Sequence, residues 1–211
     1  TPLGSSAASD VYKRQQYSTY GVKKYNYSDM SNDTSWGSNG TVGRSGNCRT
    51  YYPYGMKIHD GIIYVSSYYD RRIRKIRVSD GACLGSINLR NQYPRAIEIH
   101  NGHLYSTTNG GLYTVNLSNG ASKQCPGKTG SQWRYSRALA ASGSYLYSYY
   151  NYRMYRGTLT TSGSNICPTT EKNYYNSSMS YGYGLAAHPT NANELYFMSR
   201  GRNAIYKITI N

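Results

Sequence analysis

Three histidines stand at equivalent places in the chain and are its first candidates for chemistry. His59, His100 and His188 each end a short segment of similar sequence, and Ser142 takes the same place in a fourth segment. Imidazole is a common ligand of zinc and changes charge near neutral pH, so a ring of three would hold a metal or an anion. The simpler interpretation is that each side chain hydrogen-bonds the turn that follows it. We expect the simpler role, and therefore no metal site.

Acidic residues are too few for the usual hydrolytic centres. The chain has 9 Asp and Glu against 24 Lys and Arg, and no Ser-His-Asp spacing, Gly-rich phosphate loop or Cys-x-x-Cys motif. Only Glu98 falls in a segment that we predict below to be a first strand, while Asp60, Asp70 and Asp80 fall in turns, where they cap their own backbone. The sequence therefore predicts a protein that is not an enzyme and uses no cofactor.

Tyrosine and arginine are the residues best suited to bind a partner. The chain has 27 Tyr and one Phe, and its net charge of +15 favours anionic partners. Tyrosine pairs stack on sugar rings or fill protein interfaces, and arginine clusters attract anions. The candidate binding residues are Tyr68, Tyr69, Arg71, Arg72, Arg74, Tyr149, Tyr150, Tyr152, Tyr174 and Tyr175.

Basic residues also recur periodically, at Lys24, Lys75, Arg156 and Lys207. A run of charges is most often a solvated face, and the alternative is a rim that binds anions. For that rim we expect an acidic glycan ahead of nucleic acid, because the sequence contains no recognisable module for single-stranded nucleic acid.

The cysteines indicate an oxidising compartment. There are four, Cys48, Cys83, Cys125 and Cys167, and the last three are 42 residues apart. Four cysteines permit three pairings, and the sequence does not choose among them. Equivalent positions on neighbouring outer strands would lie beyond the roughly 7 Å limit between Cα atoms. Pairing therefore requires irregular loops to bend toward each other, or a second molecule.

Other signals agree with an extracellular or cell-surface location. Sequons for N-glycosylation occur at Asn26, Asn32, Asn39, Asn116 and Asn176, of which Asn32 and Asn39 lie in the long loop SNDTSWGSNGT. No apolar run approaches the roughly 20 residues that span a bilayer.

Three kinds of short sequence segment, here called lines, recur in the same order along the chain and contain most of these residues. A first line recurs at intervals of 41, 42 and 46 residues: YPYGMKIH from Tyr52, YPRAIEIH from Tyr93, YSRALAAS from Tyr135 and YGYGLAAH from Tyr181. A second line places an apolar residue before tyrosine, at Ile63-Tyr64, Leu104-Tyr105, Leu146-Tyr147 and Leu195-Tyr196. A third begins at Ile73, Leu112, Met154 and Ile205, with a fifth copy, VKKYNYSD, from Val22. Each line is short and is bounded by turn residues, which predicts strands.

Tight turns join the lines. His59-Asp60-Gly61, His100-Asn101-Gly102 and Ser142-Gly143-Ser144 fit two-residue hairpins, in which Gly or Asn accepts a positive φ. With a less regular fourth strand, each repeat forms a four-stranded antiparallel blade. The pattern resembles the β-propeller repeats of the NHL and YVTN kind over nearly all of residues 16–211. This resemblance implies an all-β propeller with three complete blades, parts of two more, and six or seven blades in the intact protein.

The first fifteen residues do not fit this pattern. SSAASDVYKRQ, residues 5–15, translates back into the transposase adapter of sequencing libraries, and the preceding TPLG fits the primer and index. We therefore expect residues 1–15 to be an artefact and residues 16–211 to form one propeller domain whose gene is cut at its 5′ end.

Three functions follow as hypotheses. The first is a non-enzymatic extracellular propeller that serves as a structural or adhesive module and associates with itself or with other surface proteins, in a surface layer or a filament. The alternative is a carbohydrate-binding propeller, which would bring tyrosines together with Asn and Arg in one pocket. The second alternative is a lactonase-like hydrolase, which would need converging carboxylates or a bound metal.

Overall fold

The computed structural model is almost entirely β-sheet, with four antiparallel sheets as the blades of a β-propeller, which confirms the predicted fold class. It describes residues 21–26, 28–38, 40–43, 46–159, 166–169, 171–177 and 179–210. The adapter-like segment 1–15 lies outside the described residues. Residues 1–88 and residues 89–211 form two compact units, which we describe separately.

The first unit contains a small sheet and one complete blade. The small sheet pairs β1 (Val22–Lys23) with β2 (Thr41–Val42), so the strand expected from Val22 is short. Blade A follows in the order β3 (Pro53–His59), β4 (Ile62–Ser67), β5 (Arg72–Arg77) and β6 (Cys83–Asn88). Trp36, Ile63 and Ile76 lie in its buried core, together with Cys48 from a short 3-10 helix, Gly46–Cys48.

The second unit contains three blades. Blade B consists of β7 (Pro94–His100), β8 (His103–Thr108), β9 (Gly111–Asn116) and β10 (Ser122–Gln124). After helix α1 (Ser131–Arg134), blade C consists of β11 (Leu139–Ser142), β12 (Tyr145–Tyr150), β13 (Arg153–Thr158) and β14 (Glu171–Tyr175). Blade D has three strands, β15 (Gly182–Ala187), β16 (Glu194–Ser199) and β17 (Ala204–Thr209). The first strands of these blades contact each other, β7 with β11 and β11 with β15.

The hairpins have the predicted turn geometry. Asp60 and Gly61 have φ of 46° and 70°, and Asn101 and Gly102 have φ of 47° and 70°. Two consecutive positive φ values are typical of the type I′ turn, which matches the twist of the flanking strands. In blade C the same place is taken by Gly143, with φ of 54°.

Tyrosines of the second strands occupy one register row in every blade. Their partners on the third strand are Lys75 for Tyr64, Thr114 for Tyr105, Arg156 for Tyr147 and Lys207 for Tyr196. The first three of these tyrosines are buried, so they belong to the core and not to a surface that could bind a partner. Burial raises the pKa of both Tyr105 and Tyr147 to about 12, because a phenolate loses its hydration in the core.

Two disulfides select one of the three possible pairings. Cys48 bonds Cys83 within the first unit, and Cys125 bonds Cys167 within the second, with Cα atoms 5.5 and 5.4 Å apart. Cys125 directly follows the outer strand of blade B, and Cys167 lies in the connection that leads to the outer strand of blade C. The second bond therefore joins neighbouring blades through connecting segments, which is one of the two routes that the sequence left open.

No helix among the described residues is long and apolar enough to cross a membrane.

Candidate ligand-binding cleft

A cleft of about 540 Å³ opens in the second unit, where the first strands begin and where β12 turns into β13. Its described lining consists of Arg95, Tyr135, Arg137, Tyr149, Tyr150, Asn151, Tyr152, Tyr181, Gly182 and Tyr183. In an antiparallel blade, the start of the first strand and the turn between the second and third strands lie at the same end, which explains why these segments meet. Six of the ten residues are tyrosines.

The floor of the cleft is rigid and belongs to the core. Tyr149 is only 5% exposed, and its ring lies 4.6 Å from that of Phe197, centroid to centroid. Its hydroxyl donates to the backbone oxygen of Met179 and accepts from the backbone N–H of Tyr152 at 3.0 Å. A Cβ on Gly182 would approach the Phe197 ring to 2.3 Å and the Tyr149 ring to 2.6 Å. Glycine is therefore required here so that the two rings can pack under the backbone.

One wall is built around the Tyr183 ring. Arg137 donates to the Tyr183 hydroxyl at 2.8 Å, and Arg200 approaches the same oxygen at 3.4 Å. The two guanidinium carbons lie 5.1 and 5.7 Å from the centre of that ring, within reach of a cation–π attraction. Arg137 is half-buried at the start of blade C, while Arg200 is exposed at the turn between β16 and β17.

The opposite wall presents the ring of Tyr135. This side chain is 40% exposed, and the guanidinium carbons of Arg134 and Arg95 lie 5.3 and 5.8 Å from its ring centre. Arg134 is held in place because its Nε donates to the backbone oxygen of Asn109 at 2.7 Å. The Tyr150 ring lies 6.2 Å from that of Tyr135, centroid to centroid. Two aromatic surfaces therefore stand side by side at the mouth of the cleft.

The rim is formed by residues in unusual backbone conformations. Asn151, Tyr152 and Tyr181 have φ of 49°, 62° and 46°. Positive φ is uncommon in residues other than glycine, and in tyrosine it marks a position that the surrounding structure must enforce. Tyr181 is 68% exposed, so a large apolar ring stands in solvent at this rim.

The charge of the cleft is positive. Its described lining includes two arginines and no aspartate or glutamate, and Arg134 and Arg200 add positive charge at its edges. Aromatic faces stack on apolar surfaces, the amide of Asn151 both donates and accepts hydrogen bonds, and guanidinium groups bind anions. The arrangement is suited to holding a polar ligand that has apolar faces and carries negative charge.

The predicted binding tyrosines divide among three places. Tyr149, Tyr150 and Tyr152 come together in the cleft. Tyr174 and Tyr175 lie on the outer strand β14, 38% and 63% exposed, beneath the guanidinium groups of Arg156 and Arg153.

Tyr68 and Tyr69 belong to a separate aromatic cluster in the first unit. Their ring centres are 5.0 Å apart, and the rings of Tyr51, Tyr52 and Tyr54 surround them. Tyr68 and Tyr69 lie in the turn between β4 and β5, the place that Asn151 and Tyr152 occupy in blade C.

The predicted arginines have different surroundings. The guanidinium of Arg74 contacts Asp70 at 3.1 Å and donates to the backbone oxygens of Arg49 and Asn47 at 2.7 and 3.0 Å. These contacts use the Arg74 guanidinium to hold the segment of Asn47 and Arg49 in place. Arg71 is exposed with φ of 55°, and Arg72 donates to the Arg71 backbone oxygen.

Two of the periodic basic residues, Lys24 and Lys207, form ion pairs. They lie 2.9 and 2.8 Å from Asp33 and Glu194. The hydrogen bond that Lys207 donates to the Glu194 carboxylate lowers the pKa of Glu194.

Of the three histidines, His59 and His188 contact the turns that follow them, whereas the buried Nε2 of His100 has no hydrogen-bond partner among the described residues. His59 lies 3.2 Å from the Asp60 carboxylate, and His188 accepts hydrogen bonds at Nδ1 from the backbone N–H groups of Thr190 and Asn191. Within the part of the chain that the structure describes, no group of three or more His, Cys, Asp or Glu could hold a metal ion.

The sequons differ in accessibility. Asn176 is exposed, whereas Asn26, Asn32 and Asn116 are half-buried. The side chain of Asn32 lies directly against Gly40, where an added Cβ would come within 2.4 Å of the amide nitrogen. Asn39 lies outside the described residues.

Seven of the ten lining residues were not among the residues predicted from the sequence. Two of them, Asn151 and Gly182, lie beside predicted or missed tyrosines, and the other five are Arg95, Tyr135, Arg137, Tyr181 and Tyr183. These residues are the first and third positions of the first repeated line, which reads Tyr-x-Arg or Tyr-x-Tyr in the blades of the second unit. The third position of this line changes between Arg and Tyr while the rest of the line stays similar, and this change was the signal in the sequence that could have pointed to the site.

Comparisons with known proteins identify the fold. No family model matches the chain, and no curated protein sequence matches it. Among solved structures, a streptogramin B lyase is 15% identical with a TM-score of 0.57, over 94% of this chain and 65% of that one. The virginiamycin B lyase of Staphylococcus aureus is 14% identical with a TM-score of 0.59, over 94% and 66%. The computationally designed Ika8 protein is 12% identical with a TM-score of 0.55, over 91% and 53%.

The chain thus spans about half of the designed protein and just under two-thirds of each lyase. At this level of identity, the similarity establishes a shared β-propeller architecture.

Proposed function

We propose that this β-propeller is a non-enzymatic extracellular interaction module that binds carbohydrate in the cleft of the second unit. The observation that carries the proposal is the convergence of six tyrosines with two arginines and one asparagine in one cleft. Tyrosines spread evenly over the blades would favour a purely structural module instead.

The dimensions and chemistry of the cleft support this proposal. Small-ligand sites typically occupy about 300 to 1,000 Å³ and combine aromatic surfaces with a few oriented polar groups. Tyr135 and Tyr150 offer neighbouring ring faces, and Tyr149 is fixed beneath them by its two hydrogen bonds. A sugar presents apolar C–H faces to such rings and hydroxyl groups to the amide and guanidinium groups. A rigid floor also reduces the conformational entropy that binding would otherwise cost.

The disulfides support the location. Disulfide bonds persist mainly in secreted and cell-surface proteins, and all four cysteines are paired in this way. Self-assembly into a layer or filament, the role that the sequence favoured first, stays a prediction that light scattering on the purified protein would test. Among the described residues of the cleft, no contact specifically favours the hydrolase alternative.

A binding assay with matched variants tests the proposal. The oxidised protein is applied to a glycan array, and the strongest ligand is then titrated by calorimetry against wild type, Tyr150→Ala and Tyr175→Ala. We expect Tyr150→Ala to weaken binding at least about tenfold, because truncating an aromatic hot-spot residue costs about 2 kcal/mol or more, and tenfold corresponds to about 1.4 kcal/mol. Tyr175→Ala removes an exposed tyrosine outside the cleft and should leave the affinity unchanged. Absence of any glycan binding, or equal losses in the two variants, would contradict the proposal.

A further inference from the structure

We propose that the ligand is an anionic saccharide whose carboxylate or sulfate group binds beside Tyr183, between Arg137 and Arg200. This inference rests on the carbohydrate-binding function proposed above and specifies the chemical class of the ligand. It depends on three features of the cleft, which are its donor groups, its charge and its aromatic faces.

The donor groups around Tyr183 are arranged for an acceptor. The Tyr183 hydroxyl accepts from Arg137 and Arg200, and among the described residues it donates to none. A hydroxyl group that accepts twice still has one O–H to donate. Within the described chain, the guanidinium group of Arg200 makes only the 3.4 Å hydrogen bond to this hydroxyl, so most of its five N–H groups can still donate to a ligand. An incoming oxyanion would receive hydrogen bonds from Tyr183 and Arg200 together.

The local charge favours a negative ligand. Arg137 and Arg200 both lie against the single ring of Tyr183, and no Asp or Glu belongs to the described lining. Two like charges held close together destabilise each other, and an anion between them removes this repulsion. Guanidinium groups bind carboxylates and sulfates in a planar, two-pronged geometry that neutral hydroxyl groups do not reproduce.

The aromatic faces explain why the anion belongs to a sugar. A free inorganic anion would use the arginines and leave the rings of Tyr135 and Tyr150 without a role. These rings stand at the mouth of the same cleft. A uronic, sialic or sulfated sugar presents an apolar ring face to the tyrosines and its acidic group to the arginines.

The test uses acidic glycans paired with neutral counterparts. An array of uronic, sialic and sulfated oligosaccharides is printed beside their methyl-esterified or desulfated forms, and the best pair is titrated at low salt. We expect the wild-type protein to bind the acidic form at least about tenfold more tightly than the neutral form. Preference for a carboxylated or for a sulfated member identifies the source of the anion, and both results support the proposal.

Three variants locate the anion subsite. Arg200→Gln should reduce the ratio of acidic to neutral affinity at least about fivefold without changing the affinity for the neutral form. Arg137→Gln should act in the same direction. Arg156→Gln is the control, because it removes the same charge from a strand position outside the cleft lining, where the side chain lies over Tyr145 and Tyr174.

The outcomes separate this inference from the proposed function. Equal binding of acidic and neutral forms overturns the anionic ligand, and the carbohydrate-binding function then stands if Tyr150→Ala still weakens both. An Arg156→Gln effect as large as that of Arg200→Gln overturns the subsite, because it shows a diffuse charge effect. If no glycan of either kind binds, both proposals fail. Arg200 is exposed at a turn, so its variant retains the fold, and an unchanged melting temperature checks this.

Discussion

Removing the disulfide between Cys125 and Cys167 should strongly destabilise the second unit. The perturbation is the double variant Cys125→Ala with Cys167→Ala. Both residues are buried, at 0% and 3% exposure, in a core cluster that includes Trp133. The bond connects positions 42 residues apart along the chain. Its loss gives the unfolded chain additional freedom, while the folded state keeps its strand pairing.

The magnitude follows from the loop length. Closing a loop of this size lowers the entropy of the unfolded chain enough to stabilise the fold by about 4 kcal/mol at 25 °C. Replacing two buried sulfur atoms by hydrogen also leaves unfilled space, which adds about 1 kcal/mol. We therefore expect the free energy of unfolding to fall by about 4 to 5 kcal/mol, a large part of the 5 to 15 kcal/mol that is typical of a domain.

Tryptophan fluorescence provides the assay, because each unit has its own reporter. The chain has two tryptophans. Trp36 lies in the core of the first unit with Cys48, and Trp133 lies in the cluster with Cys125 and Cys167. Urea unfolding of the double variant is compared with its parent, both in a Trp36→Phe background, so that the signal comes from Trp133 alone.

Two results would refute this reasoning. A loss below about 1 kcal/mol would show that loop closure is not what the bond contributes. Peptide mapping of the non-reduced protein that linked Cys125 to Cys83 would refute the pairing itself. Reduction of the wild-type protein keeps the sulfur atoms in place, so it should produce only the loop-closure part of this loss, about 4 kcal/mol, in addition to the contribution of the bond between Cys48 and Cys83.

Three further predictions concern packing, pH and modification. Gly182→Ala should lower the free energy of unfolding by about 1 to 3 kcal/mol, because the added methyl group meets two core rings; Gly184→Ala, whose methyl group would lie 3.4 Å from its nearest neighbour, should cost clearly less in the same urea titration. Burial raises the pKa of Tyr105 from 10.0 to about 12, so the folded protein keeps a proton that the unfolded chain releases between these values, and the contribution of this residue is complete below pH 10. Stability should therefore fall by up to about 1.4 kcal/mol per pH unit above pH 10 for this residue, and Tyr105→Phe should show a shallower fall when unfolding is measured from pH 9.5 to 11.5. When the protein is secreted from a eukaryotic host, mass spectrometry should find glycan on the exposed Asn176 and none on Asn32, which packs against Gly40.

Much of the fold could be predicted because the repeat determines it locally. Turn residues such as Asp60 and Gly61 favour positive φ by themselves, and the spacing of the three lines leaves room only for adjacent antiparallel strands. The burial of Tyr105 and Tyr147 could not be predicted in the same way. The alternation of residue types along a strand shows that the two faces of the strand have different surroundings. It does not show that neighbouring blades cover both faces.

The cleft was only partly predictable for a related reason. Tyr149, Tyr150 and Tyr152 are close in the sequence, so their clustering is visible without a structure. Arg137 and Tyr183 are 46 residues apart, and they meet because neighbouring blades place the starts of their first strands together. The disulfide pairing depends in the same way on how two irregular connections run, and residue spacing carries no information on that.

The bond between Cys125 and Cys167 also has a mechanical consequence. It joins the end of the outer strand of blade B to the segment that leads into the outer strand of blade C. The first strands of the same two blades, β7 and β11, already contact each other. A force that pulls these blades apart would therefore act on a covalent bond before it could peel strands from one another. A tethered protein that holds a ligand under flow or shear would gain from this, because the cleft at the blade ends would keep its shape under load.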